Sequence, residues 1–132
     1  YLLEHWILRR RFDDARIHFA INCASASCPV LAPEAYRASD LEQQLDAAAR
    51  GFVQDEFRNQ LNPSGTTARL SSLFRWFRRE FGGTDDAVRA YVARHASHAS
   101  ADWLLQARPS LEYLEYDWSL NDLHGQPDGA GP

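Results

Sequence analysis

The stretch Arg16-Ile17-His18-Phe19-Ala20-Ile21-Asn22-Cys23-Ala24-Ser25-Ala26-Ser27-Cys28-Pro29 decides both the fold class and where chemistry can sit. Ile17, Phe19 and Ile21 alternate with His18, Ala20 and Asn22, and a period of two predicts a strand. The small residues from Ala24 to Ser27 predict a loop, and Pro29 with Pro33 predicts an irregular continuation or a single helical turn. Most other segments read as helix, so this strand places the chain in the α+β class.

Upstream, residues 2 to 12 carry Leu2, Leu3, Trp6, Ile7, Leu8 and Phe12 around most of a helix, which predicts a largely buried element ended by Asp13-Asp14. Glu4 and His5 would enter apolar surroundings on it, and buried ionisable groups need partners. Downstream, Ser39-Asp40-Leu41-Glu42 has the form of a capping box. Leu41, Leu45, Ala48, Ala49, Phe52, Val53 and Phe57 then recur at helical spacing, predicting a helix over about 39–58. Asn62-Pro63-Ser64-Gly65 predicts a turn, Thr66 to Leu70 a short strand, and Ser71 or Ser72 the cap of a helix that turns Leu73, Phe74, Phe77 and Phe81 inward before Gly82-Gly83. Thr84 predicts another cap, with Ala87, Val88, Tyr91, Val92 and His95 on one face, and a shorter helix is predicted over about 101–107. Leu111 to Tyr116 alternates like a strand, Asp117 to Asp122 closes the unit, and 123–132 predicts a flexible tail. The sum is one domain over 1–122: a small mixed or antiparallel sheet packed by several helices.

Composition narrows the function classes. The 132 residues are 45% hydrophobic and 12% aromatic, enough for a core without staples. A net charge of -4 argues against a nucleic-acid partner, and no apolar run approaches the roughly 18 residues of a membrane span, which predicts a soluble domain. All 14 basic residues are arginine, so a phosphate loop ending in Lys, a Schiff-base Lys and a Ser-Lys dyad are excluded. No cofactor is expected. Absence of Met and a start that already reads as helix lead to the expectation that the sequence begins inside a larger protein.

The sharpest chemical candidate is a thiol nucleophile with a histidine base and a third group orienting the ring. Cys28 or Cys23, His18 or His5, and Glu4 or Asn22 supply those parts. On a straight strand His18 and Cys23 point to opposite faces, which favours Cys28, folded back by the Ala/Ser loop and able to cap a helix begun at Pro29. These residues predict a cysteine-dependent acyl-transfer or amide-hydrolysing domain acting on a small-molecule or peptide substrate. The competing reading is a binding or scaffolding module with both cysteines buried and His18 a core histidine. A Cys23–Cys28 disulfide and a zinc site are the remaining alternatives, the latter weak because no second Cys pair or His-x-x-x-His follows. His95 and His98 read as helix-end residues, Arg75-Trp76-Phe77-Arg78-Arg79 as a helical stretch whose Phe belongs to the core and whose arginines take a solvated face, and Asp117-Trp118-Ser119-Leu120-Asn121 as a closing turn in which Trp118 packs.

An ordered set of motifs resembles one family: Glu4-His5-x-Ile7-Leu8-Arg9, Arg16 to Cys23, Ser27-Cys28-Pro29, Tyr36 ahead of Leu41-x-x-x-Leu45-x-x-Ala48-Ala49-x-x-Phe52, Leu70-Ser71-x-Leu73-Phe74-x-Trp76-Phe77, and Tyr113-Leu114-x-Tyr116-Asp117-Trp118-Ser119-Leu120-Asn121. The chain is similar to the domain of unknown function 547 family, of bacterial type, from about residue 1 to 122. The resemblance implies a fold, and export to the periplasm for the full-length protein, without a settled reaction. Members carry an upstream segment of the kind Trp-x-Asn-x-Tyr-Asn that is missing from this sequence, which implies an N-terminal truncation.

Overall fold

A computed structural model describes residues 12–121. The helix predicted over 2–12, with Glu4 and His5, lies outside the described residues except for Phe12, which is not helical and is 58% exposed instead of joining the predicted apolar stripe, and the tail predicted over 123–132 lies outside them as well.

The chain enters at Asp14, whose carboxylate accepts from the Arg16 N–H at 2.9 Å while its carbonyl accepts from Ile17 at 3.2 Å. That turn starts a helical segment, α1 (Ile17–Ala20), where a strand was predicted. The alternation of Ile17, Phe19 and Ile21 is overridden because His18 and Phe19, neighbours in sequence, are both buried, which a one-faced strand does not allow. Arg16 locks the turn in place: its guanidinium holds Asp14, Glu42 and Asp46 at 2.6, 2.8 and 2.7 Å.

Helix α2 (Leu41–Val53) buries Leu45, Ala49, Phe52 and Val53. It is shorter than predicted at both ends. Ser39 donates to the Asp40 carboxylate instead of closing a capping box, and beyond Val53 the chain turns, leaving Phe57 61% exposed. Buried Asn59 then joins two elements: its amide donates to the Phe52 carbonyl at 2.8 Å and its oxygen accepts from Ser71 N–H at 2.9 Å.

Strand β1 (Thr67–Leu70) is followed by α3 (Ser72–Trp76), capped by the Ser71 hydroxyl as predicted. Gly82 and Gly83 have φ of 98° and 81°. A Cβ on Gly82 would also lie 2.5 Å from that of Ala87, so this turn requires glycine on both counts. Thr84 caps α4 (Asp85–His95) and Ser97 caps α5 (His98–Gln106), so His95 ends one helix and His98 opens the next, facing Asp102 at 3.5 Å. Strand β2 (Ser110–Tyr113) pairs with β1 from Thr67–Ser110 to Leu70–Tyr113.

The fold is α+β and one domain, but its two named strands run parallel, not antiparallel or mixed as predicted. Three helices separate them, the kind of long crossover that parallel pairing requires. Among the described residues antiparallel pairing is confined to isolated bridges, Gln60–Arg69 and Ser25–Leu120. Among the described residues no helix is long and apolar enough to cross a membrane.

The core between α1, α2 and the later helices is aromatic. Phe19 stacks on Phe52 at 4.8 Å, Phe74 packs on Phe81 at 4.8 Å, and Phe81 meets the edge of Tyr91 at 4.8 Å. Ring pairs of this kind add about 0.5–1.5 kcal/mol each beyond area burial. Phe77 is half-buried against this core, while Arg75 and Arg79 are exposed and Arg78 pairs with Asp85, the division predicted for that stretch.

Candidate functional site

The loop after α1 folds back on itself. Ala24 lies in the left-handed region at φ 62°, a costly position for a residue with a Cβ, and its N–H is held by the Asn22 side chain at 2.8 Å. Cys28 N–H donates to the Ser25 carbonyl at 3.0 Å, closing the reversal. Residues 117–121 clamp the loop from outside: Ala26 N–H donates to Ser119 at 2.9 Å, Ser27 N–H to Asp117 at 3.2 Å, and Asn121 N–H to Ala24 at 2.8 Å. From inside, buried Arg58 donates to the carbonyls of Cys28 at 2.9 Å and Ala26 at 3.1 Å while paired with Asp55. A loop this tightly bonded fixes its side chains as regular secondary structure would.

The result brings two sulfurs together. Cys23 Sγ and Cys28 Sγ are 2.8 Å apart, both as free thiols, with Cys23 exposed and Cys28 buried at 4% exposure. Cys23 N–H also donates to Cys28 Sγ at 2.8 Å. On its other side Cys23 Sγ meets the Ser25 hydroxyl at 3.1 Å and the Tyr116 hydroxyl at 3.5 Å, and those two hydroxyls bond each other at 3.0 Å. Trp76 and Trp118 pack against the Tyr116 ring at 4.8 and 4.4 Å. Trp118 itself is 69% exposed, so it supports Tyr116 from the surface instead of packing into the domain as predicted.

This setting splits the two thiols. Burial pushes the Cys23 thiol up, but hydrogen bonds from Cys28, Ser25 and Tyr116 favour the thiolate and together bring it down to about 7. Burial pushes Cys28 up, and the neighbouring Cys23 sulfur pushes it further. Cys23 is the more acidic of the two thiols. Burial likewise raises the Tyr116 hydroxyl, so it stays protonated and able to donate.

Sequence reasoning favoured Cys28 with His18, and the structure separates them. No helix begins at Pro29, so no helix N-terminus faces the Cys28 sulfur. His18 points into the core, its side chain 2% exposed, with Nε2 2.6 Å from the Glu80 carboxylate and its ring stacked on Phe77 at 3.9 Å. Among the described residues it makes no hydrogen bond to either cysteine. Asn22 supports the loop backbone, donating to the Pro29 carbonyl at 2.7 Å. Glu4 and His5 lie outside the described residues. No group of three or more His, Cys, Asp or Glu side chains suited to a metal gathers among the described residues.

Ser25, Tyr116 and Arg58 are the site residues that sequence reasoning missed. Tyr116 lies 93 positions from Cys23 and carries no spacing signal; only its place in the closing motif set it apart. Beside the loop, an apolar groove of about 430 Å³ runs between Pro29, Val30 and Leu31 on one side and Ala48 and Phe52 on the other, reaching Arg58 but not Cys23.

No curated protein and no solved structure matches the chain. Residues 3–53, the stretch that carries α1, both cysteines and α2 to its last residue, match the family described as protein of unknown function, DUF547.

Proposed function

We propose that the chain performs cysteine-dependent acyl transfer, with Cys23 as nucleophile in place of Cys28. The observation that carries this reading is the ring of groups around one exposed sulfur: Cys28 at 2.8 Å, Ser25 at 3.1 Å and Tyr116 at 3.5 Å from Cys23 Sγ. Thiolate, not thiol, is the attacking form, and a thiol near pKa 7 is about half ionised at neutral pH without a general base. Such a group attacks the carbonyl of a thioester: the Cys23 sulfur bonds to carbon, the thiolate of the substrate leaves, and the acyl group is held on Cys23 until an acceptor takes it.

The same surroundings favour thioesters over amides. An amine leaves only when protonated, usually by an imidazolium, and the donors beside Cys23 are weakly acidic hydroxyls. A thiolate leaves without a proton. Amide hydrolysis is therefore the less supported half of the reaction class.

A second reading rests on a different feature, the apolar groove beside Pro29, which is the kind of surface a binding module uses. That reading leaves Cys23 chemically ordinary. The test is incubation of the reduced protein with a small acyl thioester and location of the acyl group by mass spectrometry. Acylation at Cys23 that is lost in Cys23→Ser supports the acyl-transfer reading. A protein that stays unmodified, with Cys23 alkylating at the rate of a free peptide thiol, overturns it in favour of binding.

A further inference from the structure

We propose that Cys23 and Cys28 form a thiol–disulfide exchange pair, in which Cys23 takes up a low-molecular-weight disulfide of the glutathione class and Cys28 resolves the adduct. This rests on the reading of Cys23 as a nucleophile, and goes beyond it by giving Cys28 a reaction of its own.

The geometry assigns unequal roles to the two sulfurs. Cys23 is exposed, so an external disulfide reaches it, whereas Cys28 is 4% exposed and has Cys23 Sγ as its sulfur neighbour. Their separation of 2.8 Å is short of a covalent bond by less than an ångström, since an S–S bond is about 2.05 Å long. Acyl transfer needs no second cysteine at this distance. Exchange does, because a mixed disulfide is resolved by a thiol held against it.

The steps balance. The Cys23 thiolate attacks one sulfur of RSSR, the S–S bond breaks, and RS⁻ leaves, giving a Cys23–SR mixed disulfide. Cys28 then releases its proton to water and attacks Cys23 Sγ, expelling the second RS⁻. Both protein thiols are oxidised, RSSR is reduced to two RSH, and the two protons lost by the protein appear on the two released thiols. Two features of the loop serve the second step. Cys23 N–H already donates to Cys28 Sγ at 2.8 Å, where charge develops. Formation of the mixed disulfide also removes the negative charge beside Cys28 that disfavours its ionisation. Arg58, fixed on the Cys28 carbonyl at 2.9 Å, keeps that sulfur in place while Cys23 changes partner.

The test uses the reduced chain of 132 residues and oxidised glutathione, with remaining thiols trapped by alkylation and the intact mass read over time. The expected result is loss of both alkylatable thiols with no glutathione retained, and release of two glutathione thiols per chain. In Cys28→Ser the expected product is a lasting single adduct on Cys23, and Cys28→Ala serves as a second variant with far-UV circular dichroism to verify folding. A wild-type protein that accumulates the same lasting adduct overturns the pair while leaving Cys23 a nucleophile. A protein whose Cys23 takes no adduct, and alkylates no faster than an unfolded control, overturns this proposal and the acyl-transfer reading together.

Discussion

Two short regions five residues apart put ionisable side chains to opposite use. In α1 a histidine is drawn into the core, paired with Glu80 and stacked on Phe77; in the following loop a cysteine is held at the surface within reach of three donors. Both are built with similar precision. What differs is access: the His18 side chain is 2% exposed, while Cys23 is exposed to solvent. A buried pair stabilises only the state in which it formed, whereas a surface thiol with a favoured thiolate is available to react. Residue type alone points to His18 as the base, while its ring lies against Glu80 and Phe77.

The largest effect is expected in the aromatic core under α1. Phe19 is 1% exposed and touches the rings of Phe52, Phe74, Phe81 and Tyr91. Phe19→Ala should cost about 3–5 kcal/mol by urea unfolding, a large part of a small domain's stability. The Cys23 loop is anchored largely by 117–121 and Arg58, so under conditions where the variant is still folded Cys23 alkylation should keep its native rate. A slower rate in the folded variant would show that the core transmits strain into the loop and that the two regions are not separate.

His18→Ala cuts the comparison more directly. Removing one member of a buried hydrogen-bonded pair costs about 1–3 kcal/mol, and Glu80 keeps 29% of its side chain exposed, so about 2 kcal/mol is expected. The pH profile of Cys23 alkylation should not move. A rise in its midpoint of half a unit or more would restore His18 as a group acting on the thiol, contrary to its placement against Glu80 and Phe77.

These contrasts explain which parts of the molecule were legible in its sequence. Caps and turns were, because their chemistry is local: Ser71, Thr84, the Asn62–Gly65 turn and Gly82-Gly83 act on backbone groups within a few residues. Helix α2 was legible in its apolar face but not in its ends, where Asn59 and the loop toward Ser71 decide how far it runs. Strand direction was not legible, since the three predicted helices between β1 and β2 permit either direction and their packing decides which one forms. The 17–21 alternation misled for a related reason. Asp13-Asp14 has the composition of a helix breaker, while Asp14 starts the turn through its own carboxylate and through Arg16, whose other partners lie on α2. Of the site, the two cysteines were visible and their inequality was not, because Arg58, Ser25 and Tyr116 meet them only in the folded chain.

The smallest effects come from the hydroxyls, and they test whether distance orders the donors. Each removes a group that favours the thiolate, so each should raise the alkylation midpoint from about 7, slowing reaction at neutral pH and leaving the rate unchanged well above pH 9. Ser25→Ala should give the larger rise, its hydroxyl being 3.1 Å from the sulfur, and Tyr116→Phe the smaller, from 3.5 Å, each a fraction of a pH unit. Phenylalanine keeps the ring that packs on Trp76 and Trp118, so folding should change by no more than about 1 kcal/mol and the shift reports the hydroxyl alone. A larger rise from Tyr116→Phe would mean that Tyr116 acts through Ser25 as well as directly, their 3.0 Å bond aiming the serine hydroxyl at Cys23. A midpoint unmoved in both variants would leave Cys28 as the main source of the lowered value, and the contrast between loop and core would then reduce to one pair of sulfurs against one hydrogen-bonded histidine and glutamate.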